Sequence, residues 1–146
     1  MTYCLGMLLN EGLVFASDSR TNAGVDNVST YRKLHVFETP GERLIVVLSA
    51  GNLATTQSVL SQLEEGIGGD VDREADTLYS VTSMYGAAQR VGEALRNVTE
   101  RHGAHVKAQD ADVSATFLVG GQIRGRRMRL FQVYSAGNFI EATEDT

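Results

Sequence analysis

The chain has 146 residues, 42% of them hydrophobic, enough for one domain with a sizeable core. Its formal charge of −5 argues against a nucleic-acid partner, and no apolar run approaches the ~20 residues of a membrane span. A single cysteine excludes an internal disulfide, and the start lacks the basic-then-apolar pattern of a signal peptide, so the expected address is cytoplasmic.

In chain order, the pattern predicts strands over 2–9, 12–18, 33–37 and 42–50, helices over 51–66 and 74–102, and strands over 113–122, 127–135 and 138–143. Asn10-Glu11-Gly12 reads as a tight hairpin turn, since glycine supplies the positive φ such a turn needs, and Pro40-Gly41 marks the next turn. Leu53, Leu60, Leu63 and Ile67 share one helical face, and Met84, Ala88, Val91, Leu95 and Val98 step by three and four along a second helix. Both helices should lie against a sheet with one face wet. Gly68-Gly69 is read as the end of the first and Gly103 as the end of the second. Gly120-Gly121 inside a strand pattern points to a bulge or a close backbone approach. Arg124-Gly125-Arg126-Arg127-Met128-Arg129, with apolar strands on both sides, reads as a hairpin tip. Strands at both ends of the chain with a helix pair between them imply an α+β sandwich.

Several residues can carry chemistry. Thr2 directly follows Met1, and a side chain that small permits removal of the methionine by an aminopeptidase. Thr2 would then hold a hydroxyl nucleophile and, on the same residue, an α-amine base that titrates near pH ~8. The strand from Gly12 to Ser17 delivers Asp18 and Arg20 at its end, the segment from Tyr31 to Phe37 opens a strand with Lys33 at its mouth, and the strand from Leu44 runs through Ser49-Ala50-Gly51-Asn52 into a helix. Three strands thus deliver an acid, an amine and a glycine corner. Taken singly, each has a plain reading: Asp18 a turn residue, Lys33 a solvated strand end, Gly51 a helix-start glycine. Cys4, two residues beyond Thr2 on an alternating strand, reads as a small buried hydrophobe. His102 and His105 read as the end of an exposed helix, with no nearby ligand pattern to complete a metal site. No cofactor is expected, and without a phosphate-binding glycine loop any ATP dependence would belong to a separate ATPase partner.

The strings Thr2-Tyr3-Cys4, Ser17-Asp18-Ser19-Arg20-Thr21-Asn22-Ala23-Gly24, Ser29-Thr30-Tyr31-Arg32-Lys33 and Ser49-Ala50-Gly51-Asn52-Leu53-Ala54-Thr55-Thr56-Gln57 together resemble the active-site framework of proteasome β subunits, most of all the bacterial Anbu branch. The resemblance implies a four-layer αββα sandwich of the N-terminal nucleophile hydrolase type, with residues 1–146 as the N-terminal part of a single domain whose C-terminal portion is missing. An uncovered apolar sheet face would follow from the missing portion. It also implies Thr2 as the nucleophile, with its own amine or Lys33 receiving the proton, Asp18 setting the charge of Lys33, and the Gly51 N–H holding the oxyanion. Asn22 and Leu53 match positions that line the peptide cleft, and Tyr31 and Ser49 match positions of the specificity pocket. The loop before Lys33 is slightly shorter than the family's, which leaves Arg32 as an alternative match, although alternation puts Lys33, His35 and Phe37 on one face. The function implied is a threonine peptidase or amide hydrolase acting on peptides or unfolded polypeptides. It would work within a homo-oligomer of double rings or an open helical version of them, with no nucleic-acid or membrane partner. The alternative is a catalytically silent structural subunit that assembles without turnover. An unrelated hydrolase using Ser19 or Cys4 is a third reading.

Overall fold

The computed structural model describes residues 1–22, 28–66, 77–106 and 112–143. Strands β1 (Cys4–Leu9) and β2 (Gly12–Ser17) form an antiparallel hairpin, and β3 (Arg20–Asn22) pairs with β4 (Val28–Thr30) in a short ribbon. Then β5 (Leu34–Thr39) and β6 (Arg43–Gly51) lead into helix α1 (Leu53–Glu65), followed by α2 (Met84–Val106) and strands β7 (Ala115–Ile123), β8 (Arg129–Val133) and β9 (Phe139–Glu141). The last five strands make one antiparallel sheet in the order β5-β6-β7-β8-β9. The mixture of two helices with antiparallel sheets is the α+β class expected from the sequence.

Register explains which face of this sheet is dry. Phe37 lies opposite Ile45, Val47 opposite Val119, and Val119 opposite Phe131, so one side carries a continuous row of large apolar groups. Helix α1 covers that row with Val59, Leu60 and Leu63, and α2 covers it with Met84, Ala88, Val91, Leu95 and Val98, all buried. Each fully buried Leu or Phe contributes about 1.5–3 kcal/mol relative to exposure, which is what holds the helices down.

The hairpin docks on the opposite face. Val119 points to the helices, so its neighbour Gly120 points away from them. A Cβ at Gly120 would stand only 2.6 Å from Phe15 Cζ and 3.0 Å from Leu130 Cδ1, so only glycine lets β2 lie so close to β7. β7 passes through Gly120 and Gly121 in unbroken register; the close approach predicted for this pair is present, and a bulge is not. Among the described residues three layers therefore stack: helices, five-stranded sheet and hairpin. Between hairpin and sheet a trough stays open, lined by apolar Leu13, Phe15, Leu34, Leu44, Val46 and Met128 and by polar Glu38, Glu42, Arg43, Gln122 and Arg124.

Several boundaries differ from expectation. Gly51 belongs to β6, and α1 starts at Leu53 because Asn52 caps it, its Oδ1 accepting from Thr55 N at 3.0 Å. Gly66 caps the other end, donating to Gln62 O at 2.9 Å; Ile67 and Gly68-Gly69 lie outside the described residues. The second helix begins ten residues later than predicted, since the stretch from Thr77 to Ser80 closes a turn in which Ser80 Oγ donates to Thr77 O at 3.0 Å. Ser83 then caps the helix, accepting from Gly86 N at 3.0 Å. At the far end α2 continues through Gly103 to Val106. No helix among the described residues is long and apolar enough to cross a membrane.

Candidate active site

The hairpin and the sheet each bring half of the site. The ladder between β1 and β2 runs one pair beyond Cys4 and Ser17, because Asp18 N donates to Tyr3 O at 3.1 Å. Tyr3 N in turn donates to Asp18 Oδ1 at 2.7 Å, and Arg20 N donates to Oδ2 at 3.3 Å. This lattice sets the Asp18 carboxylate beside Thr2. On the other half, the ladder between β5 and β6 also runs one pair further, with Ser49 N donating to Lys33 O at 2.9 Å. Lys33 is 5% exposed and Ser49 2%. Arg32, the other candidate for the amine, is exposed on the opposite side of the chain.

The two halves meet at one nitrogen. Lys33 Nζ donates to Asp18 Oδ2 at 2.6 Å and to Thr2 Oγ1 at 3.1 Å. The Lys33 hydrogen bond, followed by that from the Tyr3 N–H, lowers the Asp18 pKa to about 2. The acid therefore stays ionised at any physiological pH.

The glycine corner owes its shape to backbone crowding. Gly51 has φ +117°, and a Cβ there would fall 2.8 Å from Ala115 Cα, so both conformation and space require glycine. Along β6, alternate N–H groups point to opposite edges. Asn52 N–H points to β7, donating to Ser114 O at 3.0 Å, whereas Ser49 N–H points to the β5 side. Gly51, two residues after Ser49, turns its N–H to that same side, where β5 has already ended at Leu34. Gly51 lines the cleft that holds Thr2.

That cleft gathers Thr2, Lys33, Gly51, Tyr31, Ser49 and Leu53, six of the eight residues singled out in the sequence. Asp18 stands behind Lys33. Asn22 lies in β3 opposite Val28, with its side chain outside the description. Three wall residues, Thr21, Ala50 and Thr56, were not singled out. Thr56 follows Leu53 by three positions, so helical periodicity alone would have put both on one face.

Other candidates are weaker here. The Cys4 thiol is raised in pKa by burial and by the Asp18 charge, and its Sγ donates to Ser49 O at 3.6 Å, which disfavours a nucleophilic thiolate. Ser19 is exposed and offers its carbonyl to Tyr31 N at 2.8 Å. Among the described residues no cluster of three His, Cys, Asp or Glu is placed to hold a metal; the His102 and His105 side chains fall outside them.

The chain is similar over its full length to several solved structures. It is 51% identical to Anbu (ancestral beta-subunit) from Yersinia bercovieri, with a TM-score of 0.85. It is 49% identical to the chain in the helical assembly of the Anbu complex from Pseudomonas aeruginosa, with a TM-score of 0.88. It is 48% identical to Anbu from Hyphomicrobium sp. strain MC1, with a TM-score of 0.81. It spans 58% of the length of each of these chains. No protein-family model and no curated protein matches it.

Proposed function

The chain belongs to the proteasome-type Anbu family, and on that premise we propose that it acts as a threonine-type amide hydrolase with Thr2 as nucleophile once Met1 is removed. The observation that carries this reading is the single contact system from Asp18 through Lys33 Nζ to Thr2 Oγ1, at 2.6 and 3.1 Å. A lysine ammonium that donates to the hydroxyl oxygen stabilises the negative charge that grows there as the proton leaves. The Thr2 α-amine, freed from Met1, takes that proton. Oγ then bonds to the substrate carbonyl carbon, the Gly51 N–H holds the resulting oxyanion, and the amine leaving group departs with the proton. Water hydrolyses the ester left on Thr2. Leu53 and Asn22 match positions that border the peptide, and Tyr31 and Ser49 line the pocket for its side chain.

The same reading makes residues 1–146 the N-terminal part of one four-layer domain, with the open trough as the place where the second sheet continues. The Pseudomonas aeruginosa relative forms a helical assembly, which supports a homo-oligomer for this chain too. Peptides or unfolded polypeptides are the proposed substrates. If Met1 stays, its acyl group blocks the Thr2 amine, and the chain is a silent structural subunit instead.

Intact mass of the purified protein decides the first condition: a mass lacking one methionine is expected. Hydrolysis of short fluorogenic peptide amides by the processed chain, and its loss in Thr2→Ala, tests the second. Undiminished turnover in Thr2→Ala would refute Thr2 as the nucleophile.

A further inference from the structure

The cleft beside Thr2 has about 20 Å³ of free volume, room for about one water molecule. Its walls cannot easily retreat. Ser49 and Thr56 are each 2% exposed, and each hydroxyl is committed to a carbonyl: Ser49 Oγ donates to Lys33 O at 3.5 Å and Thr56 Oγ1 to Leu53 O at 3.0 Å. The Tyr31 ring is backed by the His35 ring at 6.2 Å between centroids, and Tyr31 and Thr56 line the same cleft.

Thr2 and Gly51 border this same cleft. A carbonyl carbon placed against Thr2 Oγ, with its oxygen toward the Gly51 N–H, therefore carries its neighbouring substituent into it. We infer that the site accepts acyl groups whose substituent beside the carbonyl is no larger than methyl or hydroxymethyl, namely glycyl, alanyl or seryl residues, with Tyr31 and Thr56 setting the limit. This rests on Thr2 as the nucleophile and deepens that reading into a substrate class. A single surplus methylene against a fixed wall costs about 10- to 200-fold in rate, so the discrimination against aromatic residues should be large.

The test uses the processed chain and two peptidyl epoxyketones that differ only in the residue next to the electrophile, alanyl or phenylalanyl. The Thr2 hydroxyl adds to the ketone and its α-amine opens the epoxide. No atom leaves, so the mass gained equals that of the probe. The alanyl probe is expected to add more than about tenfold faster than the phenylalanyl one. Tyr31→Ala should bring the ratio toward unity or invert it. Equal or faster addition of the phenylalanyl probe to the unaltered chain overturns the inference while leaving Thr2 as nucleophile intact. An unchanged ratio in folded Tyr31→Ala overturns the role of Tyr31. Should Tyr31→Ala fail to fold, Thr56→Ser, which removes one wall methyl, is expected to speed a 2-aminobutyryl probe relative to the alanyl one; an unchanged ratio counts against the limit. Failure of both probes to add refutes the nucleophile itself, and the inference with it.

Discussion

Lys33 is held more tightly by Asp18 than by Thr2: its Nζ lies 2.6 Å from Asp18 Oδ2 and 3.1 Å from Thr2 Oγ1. The carboxylate fixes the amine, and the amine is thereby aimed at the hydroxyl. Replacing Lys33 by Met should reduce addition of a hydroxyl-directed electrophile at Thr2 by about 10²-fold or more, the scale of losing one charge-stabilising donor. Asp18 keeps the Tyr3 and Arg20 N–H groups, so the fold should survive the change. Labelling rate and thermal melting, followed side by side, would separate the two effects.

Asp18 also predicts an acid profile. Its pKa falls from the usual 3.8 to about 2 in the folded chain, so the unfolded chain takes up the proton first. The stability this linkage gives is fully present above the unfolded value and is lost as pH falls through about 2. The carboxyl carbon shift of Asp18, titrated by NMR, should accordingly stay in its ionised range at pH 3. Lys33→Met should return its midpoint toward the ordinary value, since Lys33 is the largest cause of the shift.

Two glycines with positive φ should respond differently to alanine. At Gly51, φ +117° combines with a Cβ that would sit 2.8 Å from Ala115 Cα, whereas at Gly41, φ +74°, a Cβ meets nothing within 4 Å. Gly41→Ala should cost about 1 kcal/mol from backbone conformation alone. Gly51→Ala should cost more, with about 1–3 kcal/mol of overpacking in addition. Denaturant melts of both variants would check the order; equal costs would mean that β6 and β7 part without penalty.

His35 supplies a dependence near neutrality. Its ring is half-buried, Nε2 has no hydrogen-bond partner, and burial lowers its pKa despite the opposing effects of the Arg32 carbonyl and Glu64. The unfolded chain therefore binds a proton at higher pH than the folded one, and stability should fall as pH drops below about 6.5. In His35→Leu the difference in melting temperature between pH 7 and pH 5 should shrink. An unchanged difference would place the titration elsewhere.

Much of this was legible from period alone. Alternation put Lys33, His35 and Phe37 on one face, and the structure buries Lys33 and Phe37 while leaving Arg32 exposed. Helical spacing found Met84, Ala88, Val91, Leu95 and Val98, all of which are in the core. Ends fared worse. Gly103 reads as a stop, yet α2 continues past it to Val106, since a lone glycine costs only about 1 kcal/mol in a helix. The ribbon of β3 and β4 was missed because three-residue strands are too short for alternation to register. Thr21 and Thr56 escaped notice as well, for threonine has no distinctive chemistry until a cleft forms around it.

Gly120 has a bearing on Thr2 that neither residue discloses alone. Thr2 and Asp18 ride on the hairpin, Lys33 and Gly51 on the five-stranded sheet, and the hairpin comes to rest where Phe15 settles on the bare backbone of Gly120. The missing side chain thus works as a depth gauge between two plates. Any larger residue would lift the hairpin and lengthen the gap between Lys33 and Thr2, with every member of the site still present and still correctly shaped.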